Sequence, residues 1–140
     1  MLTDTIHFTT PCATFTAHYA NGFENYSVGS LSSDEDCWSE TSQNAFVWEA
    51  SDDDTASTGT GPNQAFEGGN FVYTEATSGS QGDEAVLLSP FIDLSTLTSP
   101  VINFYLHMHG ADMGTLYIDV DDGTGFTDDV FTISGEQQPN

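Results

Sequence analysis

The chain reads as an all-β sandwich on three grounds. No stretch carries a helical apolar period with a cap at each end. Turn signals recur between short β-prone runs. Ten Phe, five Tyr and two Trp, within 37% hydrophobic residues, supply material for a core and argue against disorder despite a formal charge of -22. At 140 residues the chain amounts to one domain. It carries no internal repeat of solenoid or propeller period.

Residues 1–20 form a β-prone lead-in, strand or linker, with Ile6, Phe8 and Phe15 in loose alternation among threonines. The domain itself is expected over 21–140. Phe23-Glu24 enters it, and Asp34-Glu35-Asp36 reads as an acidic turn before Cys37-Trp38. A strand is expected over 45–50, then a loop over 51–62 with no apolar residue able to anchor a core. Strands over 70–76, 84–88 and 101–109 follow. The last alternates best: Val101, Asn103, Tyr105, His107 and His109 share one face, and Ile102, Phe104, Leu106 and Met108 the other, which is the expected core face. Residues 115–120 and 130–133 flank Asp121–Phe126, whose Asp122-Gly123 step favours a hairpin turn.

Composition excludes several functions. There is no Lys or Arg against 22 Asp and Glu. Such a chain has no guanidinium fork and no lysine nucleophile, and its buried carboxylates have no counterion except histidine, a helix dipole or a metal ion. Nucleic-acid phosphate is not an expected partner. The expected partners are cationic, neutral and polar (a glycan), or bridged through a divalent metal. Salt screens repulsion among exposed carboxylates, which suits a salt-adapted source. No apolar run reaches membrane-span length, so no membrane insertion is expected, and Met1 is not followed by a basic and then apolar leader. The chain reads as cut from a larger secreted protein.

Chemistry-bearing motifs are sparse. Cys12 and Cys37 permit one disulfide, worth roughly 3 kcal/mol for a loop of about 25 residues. His107-x-His109 has a spacing that serves zinc if a third ligand converges, although packing or hydrogen bonding is the favoured reading. Asp119-x-Asp121-Asp122-Gly123 matches part of a calcium loop but lacks the closing Glu, so a solvated hairpin is favoured. No Gly-x-Ser-x-Gly elbow exists, and no cation is available to stabilise a developing anion, so no enzyme is expected.

Seven words stand in order along the chain: Phe23-Glu24, Cys37-Trp38, Phe46-Val47-Trp48, Thr58–Pro62, Tyr73–Ala76, Gly82–Pro90 (which holds Gly82-Asp83 and Ser89-Pro90) and Phe104–Gly110, closing with Gly114-Thr115-Leu116. Their order resembles the MAM domain, an extracellular adhesion and assembly module. The resemblance implies a jelly-roll-like antiparallel β-sandwich with an adhesive, non-enzymatic role, outside the cell or at its surface. It implies a Cys12–Cys37 disulfide and a structural calcium ion where Glu24 meets Asp83, with Glu75 and Asp93 as additional ligands. A partly buried Glu24 without any Lys or Arg nearby also needs a cation or a proton on physical grounds. Trp38 and Trp48 are expected in the core. With Tyr105, Phe46 and Tyr73 they are also the candidates for a sugar platform, so a calcium-supported carbohydrate-binding module is the alternative function. Thr5–Pro11 resembles the last strand of a fibronectin type III repeat, an arrangement of bacterial surface proteins. The family continues with further strands beyond the point where this chain stops. An incomplete sandwich is therefore expected, or one completed by a partner, including a second copy.

Overall fold

The computed structural model describes residues 12–29, 31 and 36–138. The fibronectin-like stretch Thr5–Pro11 and most of the Asp34–Asp36 turn lie outside the described residues. Apart from one 3-10 turn (Ala76–Ser78), the regular elements are strands: β1 (Phe15–Thr16), β2 (Ser39–Glu40), β3 (Trp48–Ser51), β4 (Phe71–Thr74), β5 (Leu87–Leu88), β6 (Ile92–Asp93), β7 (Thr115–Asp121) and β8 (Phe126–Ser134). The all-β class expected from the turn and aromatic pattern is what the chain adopts.

The strands pair two by two as β1–β6, β2–β5, β3–β4 and β7–β8. Three ladders are antiparallel, and β1 runs parallel to β6 with Phe15 opposite Ile92. β1 belongs to the lead-in, so that segment joins the fold through amide bonds from Phe15 N to Phe91 O (2.8 Å) and from Ala17 N to Asp93 O (3.2 Å).

The core gathers around β3 and β4. Ala50 is opposite Val72 on one side and bridges Gly29 on the other. Ala50, paired on both edges, is 1% exposed. Tyr26, Leu31 and Ala50 form the buried centre, with Phe23, Trp38, Trp48, Val72 and Leu87 packed around it. Full burial of a large apolar side chain contributes about 1.5–3 kcal/mol, which Leu31, 3% exposed, approaches and the half-buried rings around it reach only in part. Phe23 adopts a left-handed φ of 61°, a costly state for a bulky residue. Its ring there reaches both Tyr26 and Trp38, with centroids 5.8 and 5.2 Å away. β4 stops at Thr74, short of the expected residue 76, because the Glu75 side chain caps the 3-10 turn by accepting from Thr77 N.

The C-terminal half is more open. β7 and β8 form the hairpin foreseen from Asp122-Gly123, with Gly123 at φ 88°. A register shift between Ile118 and Val120 marks a bulge beside Asp129, itself at φ 57°. Residues 101–109, expected as the best strand, form none. Met108 is buried, but Ile102 and Phe104, assigned to the same core face, are exposed. Alternation selects the face a strand would bury, but a strand also needs a hydrogen-bonded neighbour. Among the described residues this segment has one only at its far end, where Met108 O accepts from Gln137 N (2.7 Å) and the Gln138 side chain bonds Met108 N and Leu106 O.

Candidate functional site

Glu24 sits in a cradle of backbone. Its Oε1 accepts from Gly69 N (3.0 Å) and Asn70 N (3.2 Å), and Oε2 from Gly69 N (3.1 Å). Asn70 completes the tie by donating its side-chain amide to Phe23 O and Tyr26 O, both at 3.0 Å. Gly68 has φ 75°, and a Cβ there would lie 2.1 Å from Glu24 Oε1, so both the conformation and the space demand glycine. Glu24 is exposed, which removes the premise that burial forces it to find a cation.

The other predicted ligands are occupied elsewhere. Asp83 accepts from Ser80 N (2.8 Å) and closes its own turn. Glu75 accepts from Ser57 N and Oγ and from Thr77 N and Oγ1. Burial pushes its carboxyl up, but these hydrogen bonds outweigh burial and hold it below the usual range. Asp93 accepts from Ser95, whose hydroxyl and amide depress it likewise. Glu24 lies at the Phe71 end of β4 and Glu75 just beyond the Thr74 end, so the ladder stands between them. Among the described residues no three His, Cys, Asp or Glu side chains group as a metal site. Each of the four carboxylates thus has hydrogen-bond partners of its own.

Cys12 and Cys37 are joined, with Cα atoms 5.9 Å apart. The adjoining Trp38 donates Nε1–H to Tyr19 Oη (2.8 Å), and Trp48 donates its own to Ala85 O (3.1 Å). Both rings are half-buried against the core and are not open platforms. Phe46 covers Gly79, and Tyr73 donates to Glu49 across the ladder. Tyr105 differs: it is 66% exposed and stacks on Phe66, 75% exposed, with centroids 3.8 Å apart. Phe66 carries no sequence signal, because it stands alone in a polar, glycine-rich loop with no periodic neighbour.

An open groove of about 450 Å³ runs beside the Glu24 cradle, lined by Phe15, His18, Tyr19, Asn21 and Asp36 among others. Asp36 there accepts from the Asn25 amide at 3.2 and 3.3 Å. On the far half, His109 Nδ1 lies 2.6 Å from Glu136 Oε1 and 2.5 Å from Gln138 O, two acceptors that place a proton on that nitrogen. The ring is thus a hydrogen-bonding group, in line with the favoured reading. Burial and the neighbouring His109 hold His107 below its usual range. The Asp119–Asp129 stretch is an exposed hairpin, with Asp122 accepting from Thr124 N (2.9 Å).

No described helix is long and apolar enough to cross a membrane. Comparison with protein families matches residues 22–140 to the model of the MAM domain, meprin/A5/mu. Among curated proteins the chain is similar to Neuropilin-1a of Danio rerio, 36% identical over 75 residues, which is 52% of this chain and 8% of that protein. It is also similar to Neuropilin-1 of Xenopus laevis, 37% identical over 81 residues (56% and 9%), and to Neuropilin-1 of Gallus gallus, 43% identical over 60 residues (42% and 6%). The chain thus spans less than a tenth of these relatives' length. No solved structure matches it.

Proposed function

The chain belongs to the MAM domain family, whose members are extracellular adhesion-type modules, and from this membership we propose that it makes protein–protein contacts within a larger surface or secreted protein. The family match over residues 22–140 carries this reading. The Cys12–Cys37 bond supports it, because disulfides persist in oxidising compartments. The strongly anionic surface favours a cationic or neutral partner.

One observation favours the carbohydrate alternative: the Phe66–Tyr105 pair leaves aromatic faces open to solvent. Beads coated with the chain test both readings, through clustering with one another and retention on cell monolayers. Retention lost after mild trypsin treatment of the cells, but not after glycosidases, supports protein contact. The reverse pattern supports glycan binding. Neither clustering nor retention would sink both and leave an inert spacer.

A further inference from the structure

Of the asparagines in the chain, only Asn25 is followed two positions on by serine or threonine, in Asn25-Tyr26-Ser27. An Asn-x-Ser triplet without proline in the middle is the acceptor signal for N-linked glycan transfer in secreted chains. Such a triplet is short enough to arise by chance, so its placement in the fold decides. Asn25 and Ser27 are both exposed, and they flank Tyr26, which is 5% exposed and packs in the core against Phe23. The inward ring leaves at the surface the two residues that carry the signal. Tyr26 N donates to Phe23 O (3.2 Å), so the acceptor sits on a turn and not within a ladder. The triplet also lies inside the loop closed by Cys12–Cys37, a bond that belongs to oxidising compartments such as the secretory lumen.

The amide itself can accept a sugar without losing its tie to the fold. Asn25 Nδ2 carries two hydrogens and donates to Asp36 Oδ1 (3.2 Å) and Oδ2 (3.3 Å). Replacing one hydrogen leaves an N–H for Asp36. Glu24, next in the chain, is held by the amides of Gly69 and Asn70. We propose that Asn25 is an N-glycosylation site, taking an oligosaccharide from a lipid-linked diphosphate donor. A bond forms between Asn25 Nδ2 and the anomeric carbon of the first sugar, while the bond from that carbon to the donor's diphosphate oxygen breaks with its electron pair. The amide gives up one proton, and nothing is oxidised or reduced. Because Tyr26 is drawn into the core of the finished fold, transfer precedes closure of the core and needs no open edge or groove. The finished molecule then carries the glycan at the rim of the groove that Asn25 and Asp36 help to line. This rests on the extracellular placement contained in the adhesion reading.

The test translates the whole chain behind a cleavable leader in the presence of endoplasmic-reticulum microsomes, with a known glycoprotein alongside as a control for transfer. Expected is a larger species among the protease-protected chains, returned to the unmodified size by peptide N-glycosidase, which converts the modified Asn25 to aspartate for peptide mass spectrometry to locate. Asn25→Gln and Ser27→Ala should each abolish the larger species, and Ser27→Thr should keep it. Both positions are exposed, and Ser27→Ala leaves the tie between Asn25 and Asp36 in place, so its effect reports the signal and not the fold. An unmodified chain in microsomes that modify the control overturns the proposal, and so does a larger species that survives Ser27→Ala. A modified chain that fails to form Cys12–Cys37 while the unmodified chain forms it also overturns it, since the fold would not accept a glycan there. Bead retention scored on the Asn25→Gln chain tests adhesion by itself, so that reading stands or falls whatever the result at Asn25.

Discussion

Glu24 and Gly69 are 45 residues apart in sequence, yet both carboxylate oxygens of the first receive the amide of the second. This contact ties the entry of the domain to the start of β4. Glu24→Ala should cost about 1 kcal/mol, the net worth of an exposed charge-assisted bond. Gly68→Ala should cost about 2 kcal/mol, because it adds backbone strain to a clash with the same carboxylate. In the double variant the clash disappears, so the two costs should sum to less than their separate values. Urea midpoints of the three variants measure this, and strict additivity would count against the cradle.

Divalent cations should act on this chain as screening ions. Calcium and magnesium at equal ionic strength should raise the melting temperature equally, by weakening repulsion within the -22 charge. A dedicated calcium site filled at a hundred times its Kd would add about 2.7 kcal/mol, several degrees for a domain of this size. Parallel thermal scans decide between these: a rise specific to calcium would restore a site of the kind first expected around Glu24.

Glu75 predicts a pH dependence. Its folded carboxyl titrates below the ordinary value of 4.5, so the unfolded chain binds its proton first. The contribution is therefore fully present above about 4.5 and declines as pH falls through the lower folded value. Neutralising the remaining carboxylates relieves repulsion over the same range and pulls the opposite way. The informative quantity is the difference in stability between the native chain and Glu75→Gln, which should shrink on acidification below pH 4.5. A difference that stays constant from neutral to acid pH would rule out this role.

Reduction of Cys12–Cys37 should lower stability by roughly 3 kcal/mol on the loop-entropy model. Denaturant midpoints with and without reductant provide the comparison. Since β1 lies inside the closed loop, its parallel pairing with β6 should loosen early, seen as faster amide exchange at Phe15 and Ala17.

The parts of the fold legible in the sequence are those written in local chemistry. The Asp122-Gly123 turn specifies its hairpin through left-handed glycine, and the aromatic words around Trp38 and Trp48 mark the core walls. The Glu24 cradle was not legible, because its donors are main-chain amides of Gly69 and Asn70 and carry no side-chain signature. A carboxylate in a chain without Lys or Arg suggests a metal only if backbone is left out of the count. The 101–109 segment was misread for a different reason. Its alternation is real, but pairing depends on what lies alongside, and a period of two says nothing about neighbours. Phe66 shows the converse case, a ring whose placement follows from one distant partner, Tyr105.

The disulfide also sets how the chain carries load. A pull arriving from the N-terminal side reaches Cys12 and crosses directly to Cys37, so the 24 residues between them, β1 included, lie off the force path. At about 3.3–3.6 Å per extended residue, the bond holds back roughly 85 Å of slack that becomes available only on reduction. A linker element built this way keeps its length under tension in an oxidising medium and lengthens in a reducing one.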